Sequence, residues 1–220
     1  VGGEFVAAAE DVLERYAGAD DPRRPRVNVG ECPVERHADD RPPEPPAPGR
    51  PARVDDEDVR AGAANRFVAA DPTAGRRHVT VTGRRATADV AEPMRRLCDE
   101  WYPDAGRARV VRGNRNAHTP GALYGAPGPA EARRRAARVE FRDTPEHAPR
   151  RNMAERELSA RARPCPGRRT PDAATLGTPV NAGQDARNRD GVEIHWCFRV
   201  ADARKTMAKG YPQQTPAAGP

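Results

Sequence analysis

Lysine is nearly missing from this chain: Lys205 and Lys209 are the two lysines among 38 basic residues, and the rest are arginine. With 24 prolines, 19 glycines and abundant alanine, that bias reads as a GC-rich coding sequence. Large aliphatic side chains are also scarce. Isoleucine occurs once, at Ile194, and Leu, Ile, Val and Phe together make 28 of 220 residues, below the one-fifth level at which compact folding becomes doubtful. The 36% hydrophobic content is largely alanine, which removes little apolar area from water, so any core is thin. Cys32, Cys98, Cys165 and Cys197 form no close pair and have no matching histidine spacing, which excludes a zinc framework and reads as reduced thiols. No apolar run approaches the ~18 residues of a membrane span, and the first residues lack a charged-then-apolar targeting pattern. The expected location is the cytoplasm, without a membrane or small-molecule partner.

What the chain does carry is a formal net charge of +6. A basic surface favours a polyanion such as DNA through counterion release, and a solvated surface with biased codons accounts for the charge equally well. The length suits one domain with long connections.

Periodicity supplies the elements. Phe5, Ala8, Ala9, Val12, Leu13 and Tyr16 recur at helical spacing over residues 4–17, and Pro25 to Val29 alternates as a strand. The proline-rich stretch 41–51 is excluded from helix and central strand and is expected as an exposed loop. Residues 65–70 and 77–82 read as an antiparallel hairpin across the turn-rich spacer 71–75. A helix over 87–101 buries Val90, Met94, Leu97, Cys98 and Trp101, with Thr87 as its cap; a strand over 107–112 follows. Pro129 starts a helix to Ala137, 138–142 is a short strand, and 152–163 is a helix with Ala154, Leu158 and Ala162 on one side. Prolines and glycines from Pro164 to Gly183 then punctuate what would otherwise be a long helix, and a last helix spans 202–211. The order gives a mixed α/β sheet, three antiparallel strands followed by parallel ones, flanked by helices.

The segment Thr144-Pro-Glu-His-Ala-Pro-Arg-Arg-Asn-Met-Ala-Glu155-Arg-Glu-Leu-Ser159 resembles the third acidic block of bacterial insertion-sequence transposases, the mariner-related DDE group with an RNase H-like catalytic domain. Other blocks fit the same family in order: Glu4-Phe-Val6, Asp21 to Arg24, Gly49 to Asp55, Asn114, Asn116, His118 to Pro120, Leu123-Tyr124, Pro129 to Arg133, Trp196, Phe198, Ala201 to Arg204 and Tyr211-Pro212. The resemblance implies an N-terminal helix and lead-in over 1–24, a catalytic domain over 25–212 and a disordered tail over 213–220. It does not include the helix-turn-helix region that full-length relatives carry.

By resemblance, two magnesium ions are held by two aspartates and a third carboxylate to cleave transposon-end DNA and transfer the strand. Two such cations, ~3.5–4 Å apart, activate the attacking oxygen and stabilise the leaving one. Glu155 matches the third carboxylate, but Gly30, before Glu31, and Gly113, before Asn114, stand at the two aspartate positions. Glu31 is expected to point to the opposite face of its strand. The resemblance therefore implies magnesium binding that is weak or lost, through Glu155 only, and a chain that does not cleave. Beside the site it places Asn114, Asn116, His118, His147 and Asn152; a local structural role suits both histidines as well. Arg150 and Arg151 stand where the family carries packing residues, and Pro179 falls in its late helix. Arg76, Arg77, Arg133, Arg134 and Arg135 are candidate phosphate contacts, or equally a solvated face. DNA and a second copy of the chain are the implied partners. A non-catalytic DNA-binding protein and a product without function are the other readings.

Overall fold

The computed structural model describes residues 2–53, 56–83, 88–113, 120–125, 128–144, 152–160, 169–206, 208 and 211. Asn114, Asn116, His118, His147, Arg150, Arg151, Cys165 and the tail 213–220 lie outside the described residues. Helix α1 (Gly3–Ala17) precedes strands β1 (Arg26–Asp39), β2 (Asp58–Asp71) and β3 (Arg76–Thr82). Helix α2 (Ala88–Arg95) runs into a π-helical turn (Arg96–Trp101) and strand β4 (Ala108–Arg112). A 3-10 turn (Pro120–Gly125), helix α3 (Pro129–Ala137), strand β5 (Val139–Asp143) and helices α4 (Met153–Ala160), α5 (Ala173–Arg189) and α6 (Val200–Thr206) complete the described elements.

The strands form one sheet in the order β3-β2-β1-β4-β5. The β1–β2 and β2–β3 pairs are antiparallel, and the β1–β4 and β4–β5 pairs are parallel. This is the mixed, helix-flanked sheet expected, with an RNase H-like arrangement. Alternation along each strand sends side chains to two faces. Val27, Val29, Phe67, Ala69 and Val110 meet Met94, Leu97, Cys98, Ala122 and Leu123 on one face. Val68, Ala70 and Val79 meet Ala154, Leu158 and Val180 on the other, where Val12, Tyr16, Val111 and Met153 continue the packing. Among the described residues, 11 of 29 buried apolar side chains are alanine, each of which removes little apolar area from water.

Strand β2 begins at Asp58 rather than at 65, α6 spans Val200–Thr206 rather than 202–211, and three further elements differ more from expectation. Strand β1 does not stop at Val29: it continues beside β2 to Asp39, although its parallel register with β4 ends at the Val29–Arg112 pair. The expected strand covered Pro25 to Val29; past Val29 the strand runs beyond its register with β4, and Pro33 is tolerated there because no ladder donor is required on that side. The helix expected to end at Trp101 turns π-helical at Arg96, and the Tyr102 amide donates to the Leu97 carbonyl (3.1 Å). The Arg138 guanidinium collects the Cys98, Tyr102, Pro103 and Ala105 carbonyls at that end.

The third difference is α5, which is continuous through Gly177, Pro179 and Gly183. Asp172 caps it by accepting from the Thr175 amide (2.7 Å). The interior proline costs about 3 kcal/mol, and contacts with edge strand β3 offset it. The Val79 amide donates to Gln184 Oε1 (2.6 Å), the Arg77 amide donates to Asn188 Oδ1 (2.8 Å), and Asn188 Nδ2 donates to the Arg77 carbonyl (2.8 Å). Two side chains one helical turn apart thus occupy backbone groups of an edge that would otherwise be open to another strand.

Candidate functional site

Helix α4 begins where β1 leaves β4. Asn152, fully buried, donates through Nδ2 to the Val29 carbonyl (2.7 Å) and accepts the Ala154 amide on Oδ1 (2.9 Å). One side chain caps the helix and fastens it to the strand just before Gly30. Met153, Ala154 and Leu158 then face the core. Glu155, in the first turn, is half-buried, where the helix N-terminus favours an anion.

The Glu155 side chain passes both glycines. A Cβ on Gly113 would lie 3.4 Å from Glu155 Oε1, and a Cβ on Gly30 would lie 3.5 Å from Glu155 Cγ and 3.1 Å from Ala154 Cβ. The three positions named from the family pattern therefore meet at one place, at the ends of the parallel strands. Glu31 pairs with Phe67 on the opposite face of β1, buried, with Asn65 Nδ2 3.5 Å from its Oε2.

Tyr16 ties α1 to this corner: its hydroxyl donates to Asn28 Oδ1 (2.6 Å), and its ring lies 5.0 Å from that of Trp196. Burial, opposed by a hydrogen bond from the Met153 backbone and by the Arg26 charge, holds the phenol well above its usual range, and the Glu155 charge adds to the rise.

Two magnesium ions demand a cluster of hard oxygen donors. Gly30 and Gly113 contribute none, and Glu31 faces away. Among the described residues, no three His, Cys, Asp or Glu side chains gather as metal ligands. The donor set does not fit a two-ion centre.

The arginines divide. Arg77 is not at the surface: its side chain is 0% exposed and its Nε lies 3.1 Å from Glu157 Oε1, itself 2% exposed, so it has no route to a phosphate. Arg134 and Arg135 bind Asp99 and Glu131. Arg76 is exposed, its guanidinium 5.7 Å from the Trp101 ring centroid, and Arg133 is exposed on α3. Sequence reasoning missed Glu157, which also binds Arg187 of α5 (3.1 Å). The signal was present: Glu157 follows Ala154 by three residues and precedes Leu158, which puts it beside the buried stripe.

Neither a protein-family model nor a curated protein sequence matches the chain. Solved structures do match. The Mos1 mariner paired-end complex with Mn aligns at TM-score 0.55 and 14% identity, covering 87% of this chain and 59% of that one. The chain shares the RNase H-like fold of Mos1 transposase. A pre-cleavage Mos1 transpososome aligns at 0.56 and 15%, covering 93% and 61%, and the Mos1 strand transfer complex at 0.54 and 14%, covering 86% and 56%. The chain thus spans about three-fifths of the length of these Mos1 chains. At such identity the likeness is one of fold.

Proposed function

We propose that this chain is a transposase-like protein of a bacterial insertion sequence, ancestrally a magnesium-dependent enzyme of DNA cleavage and strand transfer, in which that chemistry has been lost. The observation that carries the reading is the meeting of Glu155 with Gly30 and Gly113. An aspartate codon becomes a glycine codon by one base change, so two such changes remove two of three carboxylates. One remaining carboxylate holds a hard divalent cation weakly, because affinity follows ligand charge and number. Transposon-end DNA, present in the Mos1 paired-end complex with the left transposon end, is the proposed partner.

The test is nicking of a labelled duplex by the unmodified chain with magnesium or manganese. No product above the metal-free control is expected. Metal-dependent nicking that Glu155→Gln abolishes would overturn the reading.

A second reading, DNA binding without cleavage, is favoured by the net charge and by the exposed Arg76 and Arg133. It predicts an affinity that falls linearly with log salt concentration, with a shallower slope in Arg76→Gln.

A further inference from the structure

Neither Gly30 nor Gly113 has the positive φ that would require glycine; among the described residues that conformation belongs to Gly49, Gly62, Gly75 and Gly191. The two differ in what surrounds them. At Gly30, a Cβ would lie 3.1 Å from Ala154 Cβ and 3.6 Å from the Ala154 carbonyl carbon. Carbon atoms in contact prefer about 3.5–4.0 Å, and Ala154 Cβ cannot swing aside because it is one bond from the backbone. Relief would require α4 to move off β1.

That movement is opposed along the helix. Asn152 holds its start to the Val29 carbonyl, Ala154 and Leu158 are buried against Val68 and Ala70, and Glu157 pairs with Arg77. At Gly113, the one described atom within 4 Å of a Cβ is Glu155 Oε1, at 3.4 Å, the far end of a side chain rather than backbone.

We propose that Gly30 has become the seat on which α4 packs, so that the first carboxylate position takes a side chain only if the helix gives by a few tenths of an ångström, while around the second, at Gly113, the described residues leave room for one. The two losses then differ in kind. Substitution at residue 113 alone reopens a site for a single hard divalent cation between two carboxylates, and substitution at residue 30 alone does not. This takes the reading of Gly30 and Gly113 as former ligand positions and adds a claim about packing.

The packing claim is tested by thermal melts. Gly30→Ala is expected to lower Tm by roughly 4–8 °C, as overpacking does, and Gly113→Ala to shift it by less than about 2 °C. In an Ala154→Gly background the loss from Gly30→Ala should shrink by at least half, since the opposing methyl is gone. A Gly30→Ala chain as stable as the unmodified one, or an undiminished loss beside Ala154→Gly, would overturn the proposal.

The cation claim is tested on Gly113→Asp and Gly30→Asp, each melted with and without manganese. Gly113→Asp should gain several degrees with manganese, a gain removed by Glu155→Gln, and Gly30→Asp should gain none. A manganese response in Gly30→Asp, or none in a folded Gly113→Asp, refutes this part. If Gly113→Asp does not fold, Gly113→Asn supplies the same shape without the charge; its failure to fold would contradict the claim of room. Metal-dependent nicking by the unmodified chain would defeat the proposed function and leave the melts of the alanine variants unaffected, so the two failures are distinguishable.

Discussion

Glu157→Gln tests how much of this thin-cored fold rests on buried charge. Arg77 and Glu157 are 0% and 2% exposed and meet at 3.1 Å, linking β3 to α4, and Arg187 adds α5 from the other side of the carboxylate. Removing one partner of a buried pair costs about 3–5 kcal/mol, because the remaining charge stays dehydrated. Glutamine keeps one acceptor for Arg77, and Arg187, at 36% exposure, can turn toward water. The low end therefore applies. About 3 kcal/mol corresponds to a fall in Tm of roughly 6–12 °C for a chain of this size. Far-UV circular dichroism would follow the melt. Replacing both partners, as Arg77→Met with Glu157→Leu, should cost less than either change alone, because apolar pairs of similar volume often match a buried ion pair. A Tm within about 2 °C of the unmodified chain for Glu157→Gln would refute the argument.

Two further perturbations read other links. Asn152→Ala removes both the cap of α4 and its tie to Val29, with an expected loss of about 2–3 kcal/mol in denaturant unfolding; a loss below about 0.5 kcal/mol would contradict the anchoring role. His78 is half-buried, and burial, followed by the Arg96 charge, lowers its pKa from 6.5, against the opposing pull of Glu92 and Glu100 and with a further push from Arg95. A depressed folded-state value for a base means that the unfolded chain binds protons first as pH falls. The stabilising effect is complete above 6.5 and is lost as pH falls below it through the folded-state value. The difference in Tm between the unmodified chain and His78→Gln should therefore shift against the unmodified chain below that pH; a constant difference would refute the reading.

How much of this was legible depended on whether the deciding interaction was local. Alternating residues in 65–70 and 77–82, Val110 and Val111 in β4, and the proline-started α3 carry their period in adjacent positions, and all are observed. The continuation of β1 past Val29 was not legible, because it depends on its pairing with β2 and on where its register with β4 ends. Helix α5 was misjudged because its glycines and proline are local signals, while Gln184 and Asn188 act across more than a hundred residues. Arg77 looked like surface charge because its partner is 80 residues away on α4. The positions of Gly30 and Gly113 came from the family pattern, since glycine has no chemistry of its own to reveal a lost ligand. The tight seat under Ala154 is a matter of tenths of an ångström between β1 and α4, which no sequence period records.

The most direct test of the central claim is a manganese titration of the unmodified chain followed by electron paramagnetic resonance. The account predicts no site tighter than the millimolar range and the same titration for Glu155→Gln. Two tightly bound, mutually coupled manganese ions that disappear with Glu155→Gln would contradict it.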